Sequence, residues 1–261
     1  MVRKKKPIPK SPAITDAYLK FYSEMYRVDR FFKLIFDISK KNDDIRTESV
    51  KLSAKFKWDE FAHGDESLEG KLQELSSTGA VNAVMSESRL VMELLTTRNV
   101  DNYLSYVSQI LADIFRSRPE TLRSNEQVRL DFVLSHESMS DLIAEIADRQ
   151  VNKLSYQGMT ELADYLKEKI GLDVFTSDEN RKNIIKAIEI RNLIVHSRGV
   201  VNKIYLKRIS DCGLEIGMDV PLDAQIGILA VKSLHESVQT IDDQARKKFG
   251  VKNTRIRFVD K

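Results

Sequence analysis

Apolar side chains recur every three or four residues along most of the chain, the spacing of amphipathic helices rather than of strands. Tyr18, Phe21, Tyr22, Met25, Val28, Phe31, Phe32, Ile35 and Ile38 mark a long first helix, N-capped by Thr15 and running to about Asn42. A second, less regular helix is expected from Asp43 to about Phe61, and the stretch holding Gly64 and Gly70 reads as a loop. Helical spacing returns from about Ala83 to Arg116, through Leu94, Leu95, Tyr103, Val107, Ile110, Leu111 and Phe115. Pro119 breaks it, in a position suited to the first turn of a short new helix.

Beyond Pro119 the punctuation is regular. Ser138 or Ser140 opens a helix that ends before Gly158, and Thr160 begins a compact one stopped at Gly171. Ser177 or Asp178 caps a helix that reaches Gly199. After Gly199 the texture turns β-branched in VVNKIYLKRI and CGLEIGMDV, which predicts a short extended pair. Pro221 opens the last helix, carrying Leu222, Ile226, Leu229, Leu234, Val238 and Ile241, which stops near Gly250; RIRFVDK is then a tail or terminal strand. The expected fold class is all-α: a helical bundle with an N-terminal helical region and at most a small β-hairpin near 200–220. The expected organisation is a basic, disordered tail over 1–14, an N-terminal helical region over 15–116, a helical domain over 117–250, and a C-terminal tail over 251–261.

Composition supports that picture. A chain of 261 residues buries a core without staples, and 42% hydrophobic against 31% charged residues is a globular balance. Ten glycines and five prolines are too few for a turn-dense all-β chain. One cysteine, Cys212, excludes an internal disulfide and any Cys-based zinc site, and a cytoplasmic location is the natural expectation. Net charge is +3, unevenly placed: Arg3, Lys4, Lys5, Lys6 and Lys10 stand within twelve residues that contain no acid, so the remainder holds 37 of the 42 basic and all 39 acidic side chains. The body is therefore not a general polyanion binder. Pro7, Pro9 and Pro12 occupy the place where a signal peptide would carry its apolar run, and no apolar stretch approaches membrane-spanning length.

Common catalytic motifs are missing: no phosphate-binding glycine loop, no nucleophile elbow, no HExxH zinc helix. His63 stands in a loop beside Asp65 and Glu66 and reads as solvated; His136 reads as part of a polar helix start, and His235 as exposed surface. Cys212 has no evident base beside it. His196 differs by its neighbours. Glu189, Asn192 and His196 follow one another at spacings of three and four, so they share a helix face. Arg191 lies about 100° from Asn192 and about 140° from His196 around an ideal helix. Arg191 and His196 therefore meet only if Arg191 bends around the helix or a second chain supplies one of them.

Polar groups embedded in the apolar sequence Ile184, Ile188, Leu193, Ile194, Val195 need partners. The last turn of a helix favours a protonated histidine, and histidine titrates near neutrality. Arg191 and Arg198 carry planar forks shaped for phosphate. An arginine, a titratable histidine and a small amide are the groups that phosphodiester cleavage without a metal requires. The bland alternative pairs Arg191 with Glu189 or with an acid of another helix, and leaves His196 as a C-terminal cap.

RNLIVHSRGVVNKIYL resembles the signature of the HEPN superfamily, in which Arg and a polar residue precede His. Arg191, Asn192 and His196 match that Arg-x4-His pattern over about 18 residues, with a looser similarity of texture over about 120–245. The resemblance implies an all-α bundle that forms a homodimer through the motif helices, uses no metal or other cofactor, and cuts RNA in toxin, antiphage or RNA-processing systems. It assigns catalysis to Arg191, Asn192 and His196; on residue chemistry Glu189 and Arg198 are expected in support, with Glu189 anchoring Arg191 or the RNA-facing amide. A regulatory protein or antitoxin is the further partner such systems imply. The family also contains catalytically silent members that bind RNA, nucleotide or protein.

Overall fold

The long periodic stretches fold as helices in the computed structural model, which describes residues 13–55, 68–122, 127–209, 212–251 and 253–255. Ten α-helices appear among the described residues: α1 (Asp16–Lys55), α2 (Leu68–Thr78), α3 (Ala80–Ser86), α4 (Ser88–Ser117), α5 (Leu130–Leu134), α6 (Met139–Gln157), α7 (Met159–Tyr165), α8 (Asp178–Ser197), α9 (Lys203–Arg208) and α10 (Ala224–Phe249). The caps expected at Ser138, Ser177 and Thr15 are in place, while the compact helix starts at Met159 rather than Thr160 and the last one at Ala224, capped by Asp223, rather than at Pro221. The side-chain oxygens of Ser138, Ser177 and Asp223 accept from the amides of Asp141, Asn180 and Ile226, and Thr15 Oγ accepts from the Tyr18 amide. Gly171 and Gly250 take positive φ at helix ends, where a side chain would be strained.

Two corrections concern element boundaries. The expected break near Asn42–Asp43 is absent: α1 continues for 40 residues. Asp43 is used in another way, its carboxylate accepting from the amides of Ala80 (2.7 Å) and Val81 (2.9 Å), so that α1 caps α3. The extended pair near 200–220 shrinks to a single antiparallel bridge, Val200 with Asp219. Asn202 Oδ1 accepts from the Tyr205 amide and starts α9 where the β-branched residues read as strand.

The sheet that does form is elsewhere. β1 (Ala13–Thr15) pairs antiparallel with β2 (Asn253–Arg255), Ile14 opposite Thr254, so two residues assigned to the basic tail are strand. The tail proper, residues 1–12, His63 and most of the expected C-terminal tail lie outside the described residues.

α4 is the central element, packed against α1, α6, α8 and α10. Its buried Val100, Tyr103, Val107, Ile110, Leu111, Ile114 and Phe115 join Phe21 of α1, Leu154 of α6, Ile184 of α8 and Leu234 and Ile241 of α10 in one cluster. That cluster runs across residue 117 without a break. A smaller cluster of Ile190, Leu193, Val201, Tyr205 and Val220 fastens the end of α8 to α9 and the following loop. No described helix is long and apolar enough to cross a membrane.

Candidate functional site

α8 is a helix with two loyalties, because Ile184, Ala187 and Ile188 enter the large core while Ile190 and Leu193 enter the small one. The remaining face carries Glu189, Asn192 and His196, the spacing expected for one stripe. Arg198 closes the helix in the left-handed region at φ 51°, the one described non-glycine residue with positive φ. Gly199 follows at φ 79°, and its amide donates back to the Leu193 carbonyl at 2.9 Å. A Cβ at Gly199 would fall 2.8 Å from Arg89 Nη2, which ties this corner to the start of α4.

Arg191 and His196 are not brought together within one chain, as the helical arithmetic requires. Arg191 lines a cleft of about 860 Å³ between α4, α6, α7 and α8. His196 stands exposed on a separate recess of about 320 Å³ with Asn202, Ile204 and Tyr205. Asn192, Glu189 and Arg208 line both, so they form the ridge between them.

The two arginines at the ridge, Arg191 and Arg208, each meet an anion. Arg191 Nε donates to Asp101 Oδ1 at 2.8 Å, its Nη2 lies 2.7 Å from the same oxygen, and Nη1 donates to Asn192 Oδ1 at 3.2 Å. Glu189 does not anchor Arg191. It is buried, and Oε1 accepts from Arg208 Nη1 at 2.8 Å, because its face of α8 looks toward α9 rather than α4. Arg198 is exposed beyond the last turn and contributes to neither depression. His196 has no hydrogen-bond partner among the described residues and is not a helix cap.

Sequence reasoning missed three residues here. Asp101 comes from α4, ninety positions before Arg191. Arg208 reaches back from α9. Tyr205 is 1% exposed, its hydroxyl has no hydrogen-bond partner among the described residues, and burial pushes that hydroxyl up to about 12. The helical phase of Asn202, Tyr205 and Arg208 after Gly199 was the one available signal for the last two.

Of the other described histidines, His136 stands at the polar helix start expected of it and His235 differs from expectation. His235 is half-buried rather than exposed: its ring stacks on Phe21 and meets the Tyr18 hydroxyl at 3.2 Å, and burial lowers its proton affinity. His136 lies between α5 and α6, with Nδ1 at 2.8 Å from the Phe132 carbonyl and Nε2 at 2.9 Å from Glu145; these contacts raise its proton affinity.

Comparisons with known proteins find no similarity to any family model, curated protein or solved structure.

Proposed function

We propose that this chain is a metal-independent endoribonuclease of the HEPN type, working as a symmetric homodimer in which Arg191 of one copy and His196 of the other share a site. The observation that carries the reading is the split of the motif. Asn192 faces both depressions, whereas Arg191 and His196 face one each. A two-fold partner laid along α8 supplies what one chain lacks. Ile204 (62% exposed) shares the recess of the exposed histidine, and Val195 (49%) precedes it in the chain, which gives apolar surface suited to such a contact.

In the reaction, the ribose 2′-oxygen attacks the adjacent phosphorus while His196 takes its proton. The bond from phosphorus to the 5′-oxygen breaks, a protonated histidine returns a proton to that oxygen, and the products are a 2′,3′-cyclic phosphate and a 5′-hydroxyl. Arg191 stabilises the charge that grows on the non-bridging oxygens. Asn192 accepts from Arg191 through Oδ1, which leaves its NH₂ group to donate to phosphate or histidine.

The second reading is a catalytically silent module that binds RNA, nucleotide or protein. The pairing of Arg191 with Asp101 favours it, because a paired cation attracts phosphate less. The experiment compares purified wild type with Arg191→Ala and His196→Ala on mixed RNA. Cleavage lost in both variants, with folding and dimerisation retained, supports the enzyme. RNA bound but uncut by the wild type supports the silent module, and equal cutting by all three places the activity elsewhere.

A further inference from the structure

The carboxylate of Asp101 stands where a competitor for Arg191 would stand, yet its geometry is that of a support. It projects from α4 between Val100 and Tyr103, which are 1% and 0% exposed, so the helix that carries it is fixed in the core. The next residue adds a cross-tie, Asn102 Nδ2 donating to the Phe21 carbonyl at 2.9 Å. Asp101 Oδ1 receives the Nε and Nη2 side of the guanidinium, and Asn192 receives Nη1. Two of the five guanidinium N–H groups donate, Nε–H and one on Nη1, while Nη2 lies against the carboxylate; the remaining N–H groups of the terminal nitrogens are left for a ligand. The Arg191 side chain is 24% exposed and that of Asp101 37%, so the pair is reachable from the cleft it lines.

We propose that Asp101 is the positioning residue of Arg191: it fixes the guanidinium plane toward the scissile phosphate and offsets its charge in the ground state. The proposal rests on the ribonuclease reading and says how that site separates binding from rate. The cleft is balanced throughout, with Glu189 against Arg208 and Asp148 against Arg116 besides Asp101 against Arg191. A phosphodiester carrying one charge is held weakly by such a surface. The additional charge that develops during attack meets guanidinium N–H groups already held in place. Interactions that strengthen only in the transition state raise rate without tightening substrate binding.

The test is Asp101→Asn, which keeps the shape and removes the charge, with Asp101→Glu as the conservative variant. Single-turnover cleavage and RNA binding are measured for both beside wild type, with thermal unfolding as the folding control. For Asp101→Asn the expected result is crossed: RNA binds several-fold more tightly, because Arg191 is uncompensated, while the cleavage rate falls about 10²-fold, the scale of a misplaced catalytic group. Asp101→Glu, keeping the charge on a longer arm, should recover part of the rate and wild-type affinity. Parallel loss of binding and rate would mean a merely structural residue and would overturn the proposal. An unchanged or faster rate in Asp101→Asn would overturn it too, showing a bystander or a restraint. Failure of the ribonuclease reading is separate, since it appears as uncut RNA in the wild-type arm; the positioning assignment then falls with it.

Discussion

Replacing Tyr205 with Phe should stabilise the protein. The ring belongs to the small cluster that fastens α8 to α9, and it is 1% exposed. Its hydroxyl is buried without a partner among the described residues, and with its titration pushed up to about 12 it stays protonated near neutral pH. A buried donor that has left water and found no acceptor costs about 1–3 kcal/mol. Phenylalanine keeps the ring contacts and removes that cost, less a small loss where the oxygen packed. The net gain is then about 1 kcal/mol, which for a chain of this size raises the melting temperature by about 2–4 °C. Urea unfolding followed by circular dichroism measures it, with an unchanged m-value as the sign that only stability moved. The gain should hold from about pH 6 to 9, since tyrosine does not titrate there. A variant less stable than wild type by 1 kcal/mol or more would refute the reasoning, because the hydroxyl would then have a bond worth keeping.

Other expectations follow from single contacts. Burial lowers the proton affinity of His235, so below about pH 6.5 the unfolded chain takes up its proton first and stability falls with falling pH; His136, raised by the Phe132 carbonyl and Glu145, contributes the opposite slope. The difference between wild type and His235→Phe should therefore shrink this acid-side loss, and an identical pH profile in chemical denaturation would contradict it. Asn180 is buried and its Nδ2 donates to the Ser233 carbonyl at 3.0 Å, so Asn180→Ala should cost about 1–3 kcal/mol in urea unfolding, a loss that would be missing if α8 and α10 met differently. Ile204→Glu, at a 62% exposed position, should leave monomer stability within about 0.5 kcal/mol and convert the proposed dimer to monomer in light scattering. A dimer that persists would put the interface elsewhere.

What the sequence revealed and concealed divides by distance along the chain. Helix caps are local, so Ser138, Ser177 and Gly250 announce their roles within a few residues. The continuity of α1 through Asn42 and Asp43 was hidden because the carboxylate at the expected boundary finds its amides 37 and 38 positions away. α9 was misread because Val200, Val201, Ile204 and Tyr205 favour strand while one side chain, Asn202, starts a helix. At the site, the shared face of Glu189, Asn192 and His196 and the separation of Arg191 followed from helical phase alone. The partners did not: Asp101 and Arg208 come from other helices, so the anchor of Arg191 and the use of Glu189 are matters of packing. His235 looked exposed because its helix face is polar in sequence, while α1 lays Phe21 and Tyr18 against it.

The central claim is cleavage by an adjacent 2′-hydroxyl without a metal ion, and one measurement addresses it most directly. An RNA containing the preferred cleavage position is compared, in EDTA, with the same RNA carrying a single 2′-deoxy sugar on the 5′ side of that phosphate. The account predicts cutting of the first to a 2′,3′-cyclic phosphate and a 5′-hydroxyl end, and no cutting of the second at that position. Cutting of both, or cutting of the first that EDTA abolishes, would contradict it.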